Sequence, residues 1–131
     1  MSERINGFTV YGRLPSLNDY INACRSHWSK GATLKRQTEE DIIWQIRGAR
    51  NKGLLHPVSG PVAVSFEWHE SDQRRDWDNI ISAKKYILDA MQRAGIIPND
   101  NRKTVVGLAD TLIDDTKDFV YVTIQAAEWR K

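Results

Sequence analysis

With 131 residues, 40% of them hydrophobic and five of them tryptophan, the chain is sized for one domain that buries its own core. The lone Cys24 excludes an internal disulfide, and no apolar run approaches the roughly 20 residues of a membrane span. No signal peptide is legible at the start, so a protein of a reducing cytoplasm with no membrane partner is expected. The net charge of +2 is too small to argue for a nucleic-acid partner by itself, but residues 1–60 carry nine Lys/Arg against five Asp/Glu, and residues 61–131 ten against twelve. The basic half suits a phosphate backbone, and the acidic half suits a cation that reverses its local sign.

In chain order, residues 5–12 alternate, with Phe8 and Val10 on one side and Thr9 and Tyr11 on the other, and read as a strand. Residues 15–22 read as a loop or short turn, and residues 25–31 as polar punctuation ending at Lys30-Gly31. From about Ala32 to Asn51, Leu34, Thr38, Ile42, Ile46 and Ala49 form one helical stripe, while Ile43 and Trp44 lie off it. Residues 52–60 form a loop with two glycines and a proline. Val62, Val64, Phe66 and Trp68 alternate through a second strand, followed by a polar turn over residues 70–73. A second helix is expected from near Asp78 to Gly95, a suitable residue just past a helix end, with Pro98 preventing continuation. Residues 104–112 and 119–126 read as two strands joined in a hairpin through residues 114–118. The expected fold is a single α+β domain over residues 1–131, β-α-β-α-β-β, with a mixed sheet covered by helices.

The densest chemistry lies in Arg74-Arg75-Asp76-Trp77-Asp78-Asn79. On an extended backbone residues i and i+2 share a side. Two carboxylates about 5 Å apart repel by roughly 3 kcal/mol at an effective dielectric near 20. Such a pair shares a proton, is heavily hydrogen-bonded or binds a cation, and a hard divalent metal suits carboxylate oxygens best. Flanking arginines suggest a phosphate as the metal's other ligand. The plainer alternative is a helix start, with Asp78 as its cap and Asp76 as a solvated turn residue. Asp100 is either a third acid or part of an ordinary Asn-Asp-Asn turn. Lys84 falls inside the apolar stripe of Ile80, Ile87 and Met91, where a lysine snorkels or is functional. Lys85 lies within about 20° of Asp78 on a helical wheel. His27, His56 and His69 have no ligand-like spacing, and Cys24 has no partner pattern. Asp110, Asp114, Asp115 and Asp118 read as hairpin-turn residues.

The Arg74-to-Asn79 run, Lys84-Lys85, Leu88-Asp89-Ala90-Met91, Ala94-Gly95 and Asn99-Asp100 together resemble the signature of the RusA-type Holliday-junction resolvases, a family common in phages and prophages. Pro15-Ser16-Leu17-Asn18-Asp19-Tyr20 is similar to that family's opening. The family typically has two adjacent acids where this chain has Asn99-Asp100, and Asp100 is the matching position. The resemblance implies an endodeoxyribonuclease that resolves four-way junctions by paired nicks, leaving 5′-phosphate and 3′-hydroxyl ends. Mg²⁺, with Mn²⁺ as a substitute and no other small-molecule cofactor, would be held by Asp76, Asp78 and Asp100. Arg74, Arg75, Asn79, Asn18 and Tyr20 would face DNA; for Asn18 and Tyr20 a role in closing the fold is the alternative. Counting back from Asp89 selects Lys85 as the catalytic lysine, but the helix is about three residues longer than in compact members and Lys84 remains a competitor. A two-fold substrate also calls for a homodimer, with Ile43 and Trp44 as interface candidates. Two rivals stand beside this reading: a non-catalytic junction-binding module, and a metal-dependent nucleotide phosphohydrolase, which would lack the usual glycine-rich phosphate loop.

Overall fold

The computed structural model describes residues 6–99 and 101–127. It is an α+β structure built on a four-stranded mixed sheet. In chain order the elements are β1 (Asn6–Tyr11), α1 (Leu17–Ser26), α2 (Trp28–Asn51), β2 (Val62–Glu70), α3 (Trp77–Ile81), α4 (Lys84–Arg93), β3 (Val105–Asp114) and β4 (Phe119–Ala126). The sheet order is β1-β4-β2-β3, with β4 antiparallel to both neighbours and β2 parallel to β3.

Alternation in the strands decides which side is core. Phe8 and Val10 of β1, Val62, Val64, Phe66 and Trp68 of β2, and Val120, Val122 and Ile124 of β4 are buried. Ile42, Ile46 and Ala49 of α2 and Ile87, Ala90 and Met91 of α4 are buried in the same core. Each fully buried Ile, Val or Phe contributes about 1.5–3 kcal/mol, so this contiguous cluster dominates stability. Leu55, Ile96 and Ile97 close it from the connecting loops.

Several expectations are corrected. Residues 17–26 form a helix rather than a loop, because Ser16 and Asp19 make a capping box: the Ser16 hydroxyl accepts from the Asp19 N–H, and the Asp19 carboxylate accepts from the Ser16 N–H. The punctuation at 25–31 is the α1–α2 junction, and α2 starts at Trp28. Gly31 is there for close approach: a Cβ on it would stand 2.2 Å from Cys24 Sγ. Gly31→Ala is therefore expected to cost about 1–3 kcal/mol by overpacking. Adding Cys24→Ala, which removes the clashing sulfur, should restore most of the loss in a urea melt.

The expected helix from 78 to 95 is two helices. At Ser82 and Ala83 the chain tightens, with the Ala83 N–H donating to Ile80 O, while the Ser82 hydroxyl donates to Asn79 O and accepts from the Leu17 N–H at 2.9 Å. The far end matches expectation. Gly95 has φ of +76°, the Gly95 N–H donates to Gln92 O and the Ile96 N–H to Met91 O, the double bond of a left-handed helix cap.

β3 and β4 are not a hairpin, because β2 lies between them. The β2 face is apolar along its length and takes the interior of the sheet, whereas β3 has no fully buried residue and lies at an edge. The short link after β3 crosses the end of β2, where the Asp115 N–H donates to Glu70 O and the Asp118 carboxylate accepts from the Ser71 N–H. Ile43 is a core residue at 8% exposure, so only Trp44, at 71%, survives as an interface candidate.

Candidate metal and nucleic-acid site

The segment from the end of β2 to α3 carries the paired acids. Asp76 follows the turn closed by the Arg75 N–H on Asp72 O, is extended at φ −72° and ψ 146°, and occupies the N-cap position of α3; its side chain caps nothing, while its carbonyl accepts from the Asn79 and Ile80 N–H groups. Asp78 lies in the first turn. The two acids thus straddle a strand-like and a helical residue rather than sharing one extended strand. Both are exposed, and among the described residues neither carboxylate has a hydrogen-bond or ion-pair partner. Trp77 between them is 45% exposed.

Such a donor set fits a hard cation. Mg²⁺ is held through one or two carboxylates together with substrate phosphate and water, and Asp76 and Asp78 offer two free carboxylates open to solvent. Asp100 lies outside the described residues. Among the described residues no three His, Cys, Asp or Glu side chains form a ready ligand cluster.

The two arginines part company. Arg74 is 91% exposed at its side chain and bonds Asp72 through Nε at 3.0 Å. That hydrogen bond is the chief reason the Asp72 carboxyl falls to about 2. Arg13 adds a longer contact to the same carboxylate at 3.5 Å. Arg75 turns inward, and its side chain is only 13% exposed in an ion pair with Glu70.

The two lysines part company as well. Lys84 lies 17% exposed, with Nζ 2.6 Å from Asp110 Oδ2 and 5.5 Å from the centre of the Phe66 ring. The other Asp110 oxygen accepts from Trp68 Nε1 at 2.8 Å. Lys85 is 65% exposed and pairs with Asp89 one turn on, at 3.0 Å.

Asp110 was expected in a hairpin turn. It sits instead within β3, opposite Phe66 in the register, as the inward counter-ion of Lys84. The signal was available: Leu108, Asp110 and Leu112 alternate, so Asp110 falls on an apolar face, as Lys84 does on its helix. Two stray charges of opposite sign on facing apolar stripes call for each other. Of the other acids, Asp115 accepts from His69 Nδ1 at 2.8 Å and Asp118 binds Ser71.

The N-terminal motif does reach the acidic segment. Leu17, beside Asn18, donates its N–H to Ser82 in the α3–α4 turn, 65 residues on. Asn18 is exposed, and Asn79 is half-buried with its carbonyl held by Ser82. Tyr20 is half-buried and lines the α1–α2 contact, where its ring would stand 3.4 Å from a Cβ on Gly31. A hydrogen bond with Cys24 pushes its phenol above the usual range. Its surroundings are those of a fold-closing residue.

The chain matches no protein-family model, and no curated protein is significantly similar to it.

Proposed function

We propose that this chain is a Mg²⁺-dependent, structure-selective DNA endonuclease acting on four-way junctions, with Mn²⁺ as a substitute metal. The observation that carries the reading is the pair Asp76 and Asp78: two exposed carboxylates, unpartnered among the described residues, that directly follow Arg74 and Arg75 in the chain. Isolated acids gain nothing by facing phosphates; with a cation between them they bind what they would otherwise repel. The RusA-like pattern of residues supplies the substrate class.

Asp76 and Asp78 hold the metal, with Asp100 as the expected third ligand. A bound Mg²⁺ supplies Lewis acidity toward water and the scissile phosphate. Lys85, 65% exposed at its side chain, neutralises charge that develops on the phosphate oxygens. Arg74 makes a backbone phosphate contact, in exchange for its exposed pair with Asp72, and Asn18 and Asn79 flank the same surface. We assign Lys84, held in its ion pair with Asp110, an anchoring role, and leave the phosphate to Lys85. A homodimer matches the two-fold symmetry of the substrate and provides two copies of the site.

One assay separates this reading from its rivals. A synthetic four-way junction, a linear duplex and a free nucleotide are each incubated with the protein in Mg²⁺ and in EDTA. Metal-dependent nicking of the junction above the duplex is expected. Junction binding without cutting would identify a binding module, and turnover of the nucleotide alone a phosphohydrolase. Light scattering should give a dimer before DNA is added, and junction affinity should fall steeply with salt as Lys/Arg contacts displace counterions. A protein still monomeric on the junction would contradict the paired-nick mechanism.

A further inference from the structure

Asp76 and Asp78 have no side-chain ties to the described residues, so whatever fixes them acts through the backbone on either side. After them, Ser82 locks the α3–α4 turn. Before them the segment is anchored by Glu70, an acid 6% exposed on the core face of β2. Burial pushes the Glu70 carboxyl above the usual range even though Arg75 opposes the shift. Asp118, from the β3–β4 link, and Arg13, from the β1–α1 link, are the other charges that act on it. Its ion-pair partner Arg75 immediately precedes Asp76, and both side chains are largely buried, at 13% and 7% exposure. The neighbouring residues are pinned too: Ser71 to Asp118 through its N–H and hydroxyl at 2.8 and 2.9 Å, and Arg74 to Asp72.

We propose that Glu70 is a positioning residue for the candidate metal site: by holding Arg75 in a buried ion pair, it fixes the backbone that presents Asp76 and Asp78. The role rests on the metal-site reading given above. Its physical basis is mutual repulsion. Two carboxylates that must converge on one cation move apart when their backbone is slack, and the metal then has to draw them back together. Arg75, which the sequence pattern assigns to DNA, is on this account an internal tether.

Glu70→Gln keeps the shape and an acceptor oxygen but removes the charge. In the full-length chain, hydrogen exchange is read separately for residues 71–79 and for β4, and Mn²⁺ is titrated calorimetrically in the absence of DNA. Exchange in 71–79 should quicken at least tenfold with β4 unchanged, and the Mn²⁺ dissociation constant should rise at least fivefold. Single-turnover cleavage should fall at limiting Mn²⁺ and recover substantially at saturating Mn²⁺. Arg75→Gln should do the same, and the double variant should be no worse than either single one, since both break one interaction. If Glu70→Gln does not fold, Arg75→Lys, which keeps the cation but loses the planar fork, carries the same measurements. Exchange that rises equally in β4, or Mn²⁺ affinity and exchange within twofold of wild type, would overturn the proposal while leaving the endonuclease reading intact. A wild-type chain that neither binds Mn²⁺ nor cuts a junction would remove both.

Discussion

Asp76→Asn and Asp78→Asn should each lower single-turnover junction cleavage by at least a thousandfold while junction affinity stays the same or improves. Each change keeps size and shape but removes one negative charge and one metal ligand. The lost ligand removes the cation that neutralises the transition state, a contribution of several kcal/mol, and about 4 kcal/mol already corresponds to a thousandfold in rate. Affinity moves the other way, because one fewer carboxylate repels the phosphates. Stability should change by less than about 0.5 kcal/mol, since both side chains are exposed and neither is bonded to a described residue. Asp100→Asn should follow the same pattern. Rates from quenched-flow gels and affinities from fluorescence anisotropy in Ca²⁺ separate the two effects. Normal cutting by two of the three variants would place the metal elsewhere.

Lys84→Ala and Asp110→Ala should each destabilise the fold by about 2–4 kcal/mol, whereas Lys85→Ala should be nearly neutral to stability. Removing one member of the Lys84–Asp110 pair leaves the other charge largely desolvated and unpaired, and Asp110 also serves as the acceptor for Trp68 Nε1. For a domain of this size that is a fall in Tm of roughly 10 °C. The double variant Lys84→Met/Asp110→Asn should recover most of the loss. Methionine keeps a long stem over Phe66, and the asparagine carbonyl can still accept from Trp68. The exposed Lys85–Asp89 pair is worth only about 0.3–0.5 kcal/mol, and Lys85→Ala should appear in rate more than in melting. A larger rate loss at Lys84 than at Lys85, with the melting temperature unchanged, would exchange the two roles.

The contrast between the two lysines shows what was legible in the sequence. The stripe of Ile80, Ile87 and Met91 places Lys84 toward the core, but the sequence does not say what meets it there. Asp110 was hidden because strands 104–112 and 119–126, close in sequence and bridged by turn residues, read as a hairpin. In the fold, the apolar face of β2 inserts between them, so that β3 becomes a parallel edge strand beside β2. Long-range pairing outweighed local turn chemistry. The same limit explains α1. Its capping box, Ser16-x-x-Asp19, was visible, but the segment has no buried residue to generate an apolar stripe, and its helix is fixed by its cap and by packing on α2. The helix end at Gly95, the core faces of β1, β2 and β4 and the long helix through Ile42 and Ile46 were legible because each rests on periodicity or on a residue with one conformational use. Arg75 turns inward to a partner that the sequence does not announce. A run of two arginines gives no sign of which one turns inward, and Glu70, its buried partner, looked like the first residue of a polar turn.

The most direct test of the account maps the cuts on an immobile four-way junction whose strands are 5′-labelled one at a time, in Mg²⁺ and under single-turnover conditions. The predicted result is a pair of nicks at symmetric positions in two opposing strands, with ligatable 5′-phosphate ends, absent in EDTA and absent with Asp76→Asn. Folded wild-type protein that leaves all four strands intact in both Mg²⁺ and Mn²⁺, or nicks that persist undiminished with Asp76→Asn, would contradict it.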